Sequence, residues 1–267
     1  MIKALFFDMD GTLVAYYPDG HGEIPMTSRK LLDELRKKGV MIFAATGRGR
    51  SEMETSPLFA DMPFDAVLAM NGQYCYTEKE DLRVSAINSD DLAGFMECQK
   101  EKPFPCIFME KYRDYGNMDT PEFRAALAKI CSEPPKSENI DDLAEREILQ
   151  IVPYISEKEL DHVKAKMPLS KATRWSPEFV DIVDVNGGKG RAIELILKTF
   201  KLSADEIMAF GDGENDIEMV IMAKIGVAMG NAADELKRFA DYIADDADKD
   251  GVAKALDHFI AEGVFES

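Results

Sequence analysis

The sequence predicts an α/β fold: a Rossmann-like, doubly wound parallel sheet core with an inserted α+β cap. Two apolar runs near the N-terminus, 2–7 and 40–45, end at polar residues and enclose an amphipathic stretch, which is typical of a βαβ unit. The same pattern returns after residue 188. Between the two parts, shorter strands lack these polar endings, which indicates a separate inserted segment.

The helix of the first βαβ unit has recognisable limits. Leu31, Leu32 and Leu35 share one helical face and would pack on the sheet. Thr27 is a candidate N-cap, and Gly39 is a natural stop before the next strand. We therefore expect one helix between the first two strands.

A third strand is predicted over 66–70. It runs into Asn71-Gly72, a turn dipeptide, and continues over 73–76 as the second strand of a hairpin. The polar residues 77–81 that follow are interpreted as a linker.

The middle of the chain alternates helices with short strands. We predict helices over 90–99, from Thr120-Pro121 onward, and from a Ser156/Glu159 capping box to 166, with strands over 106–109, 148–152, 174–175 and 179–183. This composition is that of an α+β module. We therefore expect a core domain formed by 1–80 and 185–267, and a cap segment over 81–184.

The C-terminal part repeats the style of the N-terminal part. Helices are predicted over 191–200, from about 217, and after Gly251, with strands over 207–210 and 225–229. Both outer parts would contribute strands to one parallel sheet, with ligands beyond the carboxyl ends of the strands.

Charge and composition narrow the function classes. The formal net charge is −18, and no basic block interrupts it, so nucleic acid is not an expected partner. The first apolar run is broken by Asp8 and Asp10 before a signal-peptide core or a membrane span is complete. We expect a cytoplasmic protein that does not engage a membrane, and a monomer or weak dimer.

The four cysteines carry no metal-binding pattern. Cys75, Cys98, Cys106 and Cys131 form no CxxC pair and have no histidine at metal spacing. They are interpreted as reduced, mostly buried thiols.

Three strand ends of the core carry polar clusters. They are 8–12 (DMDGT), 46–48 (TGR) and 211–216 (GDGEND). Because the carboxyl ends of parallel strands meet at one sheet edge, these clusters should converge. Several carboxylates brought together there need a hard cation, and oxygen ligands without His or Cys favour Mg²⁺ over zinc.

These clusters also carry a family resemblance. DMDGT after an apolar strand resembles the first motif of the haloacid dehalogenase (HAD) superfamily. Thr46 in ATGR, Lys189 in GGKG and the run GDGENDIEM from Gly211 resemble its second, third and fourth motifs, in the family's order. A large α/β insert between Thr46 and Lys189, together with MNG at 70–72, is similar to the Cof-type (IIB) sugar phosphatases.

The resemblance implies a phosphatase chemistry. Asp8 would be the nucleophile that forms an aspartyl-phosphate, and Asp10 the general acid and base. Asp8, the backbone carbonyl of Asp10 and Asp212 would hold Mg²⁺. Asp216 would contact these ligands and hold them in place without binding the metal itself.

The remaining motif residues are expected to hold the substrate, a small phosphorylated metabolite and, by resemblance, a sugar phosphate. Thr46 and Lys189 would contact the phosphoryl oxygens, with Gly47, Arg48 and Asn215 as further phosphate or substrate contacts. Thr46 also fits a helix cap. In the cap segment, Arg174 and Trp175 could face the substrate, although a core position suits Trp175 better.

Two other functions remain open from the sequence. One is a sugar phosphomutase or phosphotransferase of the same superfamily, which would keep both Asp8 and Asp10 but shield the intermediate from water. The other is a metabolite-binding regulator without activity, against which the presence of both acids argues.

Overall fold

The computed structural model describes residues 1–17, 19–59, 61–128, 133–174 and 178–266. The fold belongs to the α/β class, as predicted, and has one large sheet and one smaller sheet. None of the helices in these ranges is long and apolar enough to cross a membrane.

The large sheet forms the centre of the molecule. Its strands are β1 (Ala4–Phe7), β4 (Met41–Ala45), β5 (Ala66–Ala69), β6 (Tyr74–Tyr76), β7 (Asp81–Val84), β13 (Ile207–Gly211), β14 (Ile225–Ala228) and β15 (Tyr242–Ile243). Their order is β15-β14-β13-β1-β4-β5-β6-β7. The strands from β15 to β5 run parallel, and β6 and β7 continue the sheet as an antiparallel hairpin.

Helices cover this sheet and the smaller one. In the ranges described they are α1 (Met26–Lys37), α2 (Arg50–Thr55), α3 (Ser89–Glu101), α4 (Pro121–Ala128), α5 (Glu157–Lys166), α6 (Lys189–Phe200), α7 (Ile217–Met222), α8 (Asp234–Lys237) and α9 (Gly251–Ala261). A short hairpin of β2 (Ala15–Tyr16) and β3 (Gly22–Glu23) follows β1.

The central strands are apolar because both faces of the large sheet are covered. All four residues of β1 are buried. Phe6 stacks on Phe43 of β4, and Phe7 stacks on Phe210 of β13, with ring centroids 4.7 Å apart in each pair. Side-chain packing on both sides of β1 therefore holds the three neighbouring strands together at the middle of the sheet.

The smaller sheet, which we call the cap sheet, is antiparallel. Its strands are β8 (Cys106–Met109), β9 (Asp114–Gly116), β10 (Gln150–Pro153), β11 (Ser170–Thr173) and β12 (Asp181–Asp184), in the order β11-β12-β10-β8-β9. The strand predicted over 174–175 lies instead at β11, and Trp175 is outside the described residues.

The two faces of the cap sheet pack against different partners. Phe108, Ile151 and Ile182 belong to the cap's own hydrophobic cluster. Met109 and Val152, which alternate with them, join the core cluster of the large sheet. The cap sheet therefore lays one face against the core.

Two local predictions are corrected. Helix α1 begins at Met26 after Pro25, and Thr27 is not its cap, because its hydroxyl donates to Asp250 at 2.5 Å. The stretch 77–81 is not a linker: Thr77 N–H donates to the Glu80 carbonyl at 2.9 Å, which closes a turn between β6 and β7. Because β7 pairs within the large sheet, we propose that the cap segment starts after Val84 and ends near 184.

The cysteines that the structure describes fit the prediction. Cys75, Cys98 and Cys106 are free and buried. Burial raises the pKa of the Cys75 thiol to about 12, which keeps it protonated and unreactive at neutral pH. Cys131 lies outside the described residues.

Candidate active site

The predicted polar clusters meet at one edge of the large sheet. Asp8 follows β1, Thr46 follows β4 and Asp212 follows β13. These three strands are parallel neighbours, so their carboxyl ends open on the same side. The convergence that the sequence predicted is thus a direct result of strand order.

A cluster of acids lies at this edge, with Asp8 and Asp216 buried and Asp212 half-buried. Oxygen atoms of Asp8, Asp212 and Asp216 all lie within 4.8 Å of one another. The side-chain ammonium of Lys189 lies 2.5 Å from Asp8 Oδ1 and 2.5 Å from Asp216 Oδ1, and it is fully buried. Three carboxylates against one ammonium leave an excess of negative charge.

The excess of negative charge, together with burial, shifts the pKa values of the groups in this site. Burial, followed by repulsion from Asp216, raises the pKa of Asp212 to about 7. Burial also raises the pKa of Asp8, although Lys189 opposes it. Burial would lower the pKa of Lys189, but the Asp216 and Asp8 carboxylates outweigh it and raise that pKa, so the lysine stays charged. The cluster is suited to a divalent cation, because a cation would offset this mutual repulsion.

The loop after β13 is held by its own side chains. Asp216 Oδ2 accepts the backbone N–H groups of Asp212 and Gly213, each at 3.0 Å. The Thr12 hydroxyl donates to Asp212 Oδ1 at 2.9 Å. Gly11 has a φ of +81°, and a Cβ there would lie 2.5 Å from Asp212 Oδ2, so only glycine fits between these two loops.

Asp10 has different partners from Asp8. Arg48 donates to it twice, from Nε to Oδ2 at 2.8 Å and from Nη2 to Oδ1 at 2.6 Å. The Tyr16 hydroxyl donates to Asp10 Oδ1 at 2.5 Å, and Glu52 pairs with the far side of Arg48. Burial would raise the pKa of Asp10, but the hydrogen bonds and charge of Arg48, together with the Tyr16 hydrogen bond, outweigh burial and lower that pKa.

The remaining predicted contacts surround the Thr46 loop. Thr46 is buried, and its hydroxyl accepts the Arg48 backbone N–H at 3.1 Å. The Gly47 carbonyl accepts from Gln150 of the cap sheet at 3.3 Å. Asn215 donates to Asn71 at 2.9 Å. Gly47 and Asn215 thus contact side chains that link the core to the cap.

Arg174 is placed within the cap itself. Its Nη2 donates to the Ile155 carbonyl at 2.9 Å, and its Nε lies 3.0 Å from Glu157 Oε2. These contacts give Arg174 a part in holding the cap together.

The structure brings in polar residues that the sequence analysis did not assign to the site. They are Thr12, Tyr16, Glu52, Asn71, Gln150 and Asp181. A signal existed for the last two, because each is a single polar residue within an apolar strand, in ILQIV and FVDIV. An isolated polar side chain in a buried strand needs a partner, and both find it in Asn71.

This arrangement of two strand-end acids, a buried lysine and an acidic loop at one sheet edge is suited to phosphoryl transfer. The chain belongs to the haloacid dehalogenase-like hydrolase family, whose model matches residues 5–256. The resemblance read from the four motifs is thereby confirmed.

Solved structures and curated relatives agree over nearly the whole chain. A HAD subclass IIB sugar phosphatase is 33% identical, with a TM-score of 0.89 over 98% of this chain and 99% of its own. A phosphatase from Bacteroides thetaiotaomicron is 32% identical, with a TM-score of 0.87 over 99% and 96%. The Bacillus subtilis protein YkrA, provisionally named a phosphatase, is 28% identical over 95% and 96%. Another relative from Bacillus subtilis, 5-amino-6-(5-phospho-D-ribitylamino)uracil phosphatase YcsE, is 27% identical over 97% and 96%.

Proposed function

We propose that this protein is a Mg²⁺-dependent phosphohydrolase that hydrolyses small phosphorylated metabolites, sugar or polyol phosphates foremost, through an aspartyl-phosphate on Asp8. The observation that carries the proposal is the separation of the two acids by their partners. Asp8 lies in the acidic cluster beside Lys189, whereas Asp10 is held by Arg48 and Tyr16.

The donor set supports a magnesium site. Carboxylate oxygens of Asp8, Asp212 and Asp216 lie close enough to surround one small cation, and the excess negative charge of the cluster matches a divalent ion. Asp216 already uses Oδ1 on Lys189 and Oδ2 on two backbone N–H groups, so its supporting role is favoured over direct ligation. When bound, Mg²⁺ supplies charge neutralisation that lets one anion approach another.

The chain's own residues provide the two half-reactions. In the first, Asp8 attacks phosphorus and the bond to the ester oxygen breaks. Asp10 gives that oxygen a proton, which it must first take up from solvent or substrate against the contacts of Arg48 that favour its ionised form. In the second, Asp10 takes a proton from water, the water oxygen attacks phosphorus, and the bond to Asp8 breaks to release phosphate. Lys189 and Thr46 would hold the phosphoryl oxygens during both steps.

The substrate class is supported by the relatives. One similar structure is that of a sugar phosphatase, and YcsE is named for a phosphorylated ribityl compound. Both names describe a phosphate on a polyhydroxylated chain or ring. A net charge of −18 provides no long-range attraction for polyanions, which favours small monophosphates.

A phosphate-release screen tests the proposal. The purified protein with Mg²⁺ would be offered sugar, polyol, nucleotide and flavin phosphates, without any bisphosphate activator. Release from sugar or polyol phosphates supports the proposal, whereas turnover only with a bisphosphate present would identify a phosphomutase. Lack of turnover with every ester, an aryl phosphate included, would favour a regulator without activity.

Two variants test the roles of the acids. Asp8→Asn should abolish turnover, because the nucleophile is lost. Asp10→Asn should slow both half-reactions by at least about 100-fold, since general acid–base catalysis contributes that much. Turnover by Asp10→Asn at the wild-type rate would remove Asp10 from the mechanism.

A further inference from the structure

The turn between β5 and β6 has an unusual backbone. Met70, Asn71 and Gly72 have φ angles of 50°, 54° and 82°, so three consecutive residues are left-handed and two of them carry a Cβ. A residue with a Cβ is strained in this conformation, because its Cβ lies close to the following carbonyl oxygen. Both non-glycine side chains are buried. Strain of this kind persists where the surrounding structure enforces it, and it clusters at functional sites.

Backbone hydrogen bonds attach this turn to the Thr46 loop. The Met70 N–H donates to the Arg48 carbonyl at 3.0 Å, and the Asn71 N–H donates to the Thr46 carbonyl at 2.8 Å. The turn is therefore held against the strand end that carries three predicted phosphate or substrate contacts, Thr46, Gly47 and Arg48. The left-handed backbone allows both bonds while the Asn71 side chain extends toward the cap sheet.

The Asn71 amide joins three parts of the protein. Its Nδ2 donates to Asp181 Oδ2 at 2.8 Å and to Gln150 Oε1 at 3.0 Å, both buried residues of the cap sheet. Its Oδ1 accepts from Asn215 Nδ2 at 2.9 Å, on the loop that carries Asp212. This orientation satisfies both ends of the amide, because the NH₂ group faces two acceptor oxygens and the amide oxygen faces the NH₂ group of Asn215.

Gln150 of the cap sheet connects Asn71 to the Thr46 loop. Its Nε2 donates to the Gly47 carbonyl at 3.3 Å, while its Oε1 accepts from Asn71. Withdrawal of the cap sheet would leave the Asn71 NH₂ group without these two acceptors. These hydrogen bonds form only while the cap sheet is docked, so the docked cap and the ordered amide favour each other.

We propose that Asn71 is a positioning residue that couples docking of the cap sheet to the catalytic loop. Docking presents Asp181 and Gln150 to one end of the amide, which orients its other end toward Asn215 and thereby the loop of Asp212 and Asp216. The active site would then be complete only when the cap has closed. This inference deepens the proposed phosphatase function and rests on it.

Swapping the amide of Asn71 with the carboxylate of Asp181 tests whether Asn71 couples the cap sheet to the catalytic loop. Asn71→Asp places a second carboxylate against Asp181 and removes the donor, so kcat/KM for a hexose phosphate should fall at least about tenfold, mostly through kcat. Asp181→Asn alone should cost much less, because the new amide oxygen can still accept. In the double variant the donor and acceptor between positions 71 and 181 are reversed, so part of the lost activity should return, while the donation to Gln150 Oε1 stays absent.

Asn88→Asp is the matched control. Asn88 caps α3 through its side-chain oxygen, an arrangement that a carboxylate also satisfies, and it lies outside the site. It should keep wild-type kinetics. Circular dichroism should show that all variants fold.

The exchange has a result that would overturn the proposal. If the double variant is no more active than Asn71→Asp, or if Asn71→Asp has wild-type kinetics, Asn71 does not couple the two parts. Amide hydrogen exchange of β10 provides a readout independent of turnover: it should be faster in Asn71→Asp and recover in the double variant. If the wild-type protein hydrolyses no ester, the proposed function fails. The amide hydrogen-exchange result still decides whether Asn71 holds the cap sheet against the core.

Discussion

Arg48 donates one hydrogen bond to each carboxylate oxygen of Asp10, from Nε to Oδ2 at 2.8 Å and from Nη2 to Oδ1 at 2.6 Å. This fork fixes the plane of the carboxyl group beside the strand end that carries Asp8. A residue predicted only as a substrate contact thus also orients the proposed general acid and base.

Arg48→Lys should therefore impair catalysis although the charge is kept. A lysine supplies a point charge and cannot reproduce the planar two-bond contact. We expect kcat/KM for the best substrate to fall about 10- to 100-fold, as for other losses of alignment. Arg124→Lys is the matched control, because Arg124 is an exposed residue of α4 that pairs with Asp119. This variant should keep the wild-type kcat/KM. Equal kinetics in Arg48→Lys and wild type would show that the fork is not needed.

Removal of metal should abolish activity and lower stability together. After exhaustive treatment with EDTA we expect no phosphate release, with recovery on addition of Mg²⁺ but not of Ca²⁺, which takes more ligands and a looser geometry. Mg²⁺ at 100 times its Kd should stabilise the fold by about 2.7 kcal/mol, seen as a higher Tm.

Asp212→Asn provides the control for the metal effect. It removes one carboxylate of the cluster, so Mg²⁺ should no longer raise its Tm. Full activity of the wild-type protein after chelation would refute the metal requirement.

Lys189→Met should destabilise the fold strongly. The substitution keeps the side-chain length but leaves Asp8 and Asp216 buried without their common partner, which costs about 3–5 kcal/mol for a buried pair. Urea unfolding without Mg²⁺ measures the change. Lys254→Met removes an exposed lysine from an ion pair with Asp245 and should cost less than about 1 kcal/mol. Similar losses in both variants would contradict the structural importance of Lys189.

Asp114 should make stability depend on pH. Burial, followed by repulsion from Glu52, raises its pKa from 3.8 to about 6. A carboxyl with a raised pKa in the folded state binds its proton more tightly there, so its destabilising effect is absent below about pH 3.8 and complete above about pH 6. Asp114→Asn removes this effect. We expect the variant to gain up to about 3 kcal/mol in unfolding free energy at pH 8 relative to wild type, and less at pH 4.5.

The comparison at two pH values isolates Asp114, because the other titrating groups are common to both proteins. Urea unfolding at pH 4.5 and pH 8 provides the measurement. A stability difference that is the same at both pH values would show that Asp114 has an ordinary pKa.

The sheet core, the four motifs and the expectation that they share one sheet edge could be predicted from the sequence alone. Each motif follows an apolar run, and parallel strands present their carboxyl ends at one edge, so Asp8, Thr46 and Asp212 were expected on the same edge, where the neighbouring positions of β13, β1 and β4 bring them together. Capping chemistry is equally local, and the Ser156/Glu159 capping box of α5 was predicted and is present. These features depend on residues close together in the chain.

The partners of the acidic side chains, and the contact between the cap sheet and the core, depend on how the whole chain folds. The pairing of β7 with β6 depends on which sheet edge is free, and the local pattern of 77–84 does not encode that choice. Arg48 contacts Asp10 across 38 positions, and Asn71 contacts Asp181 across 110. Contacts at such separations arise from packing of the whole chain, because a hydrogen-bonding side chain carries no local signal of its partner. The contacts of the buried Asn71 amide with both the cap sheet and the loop of Asn215 therefore exist only when the two sheets pack together.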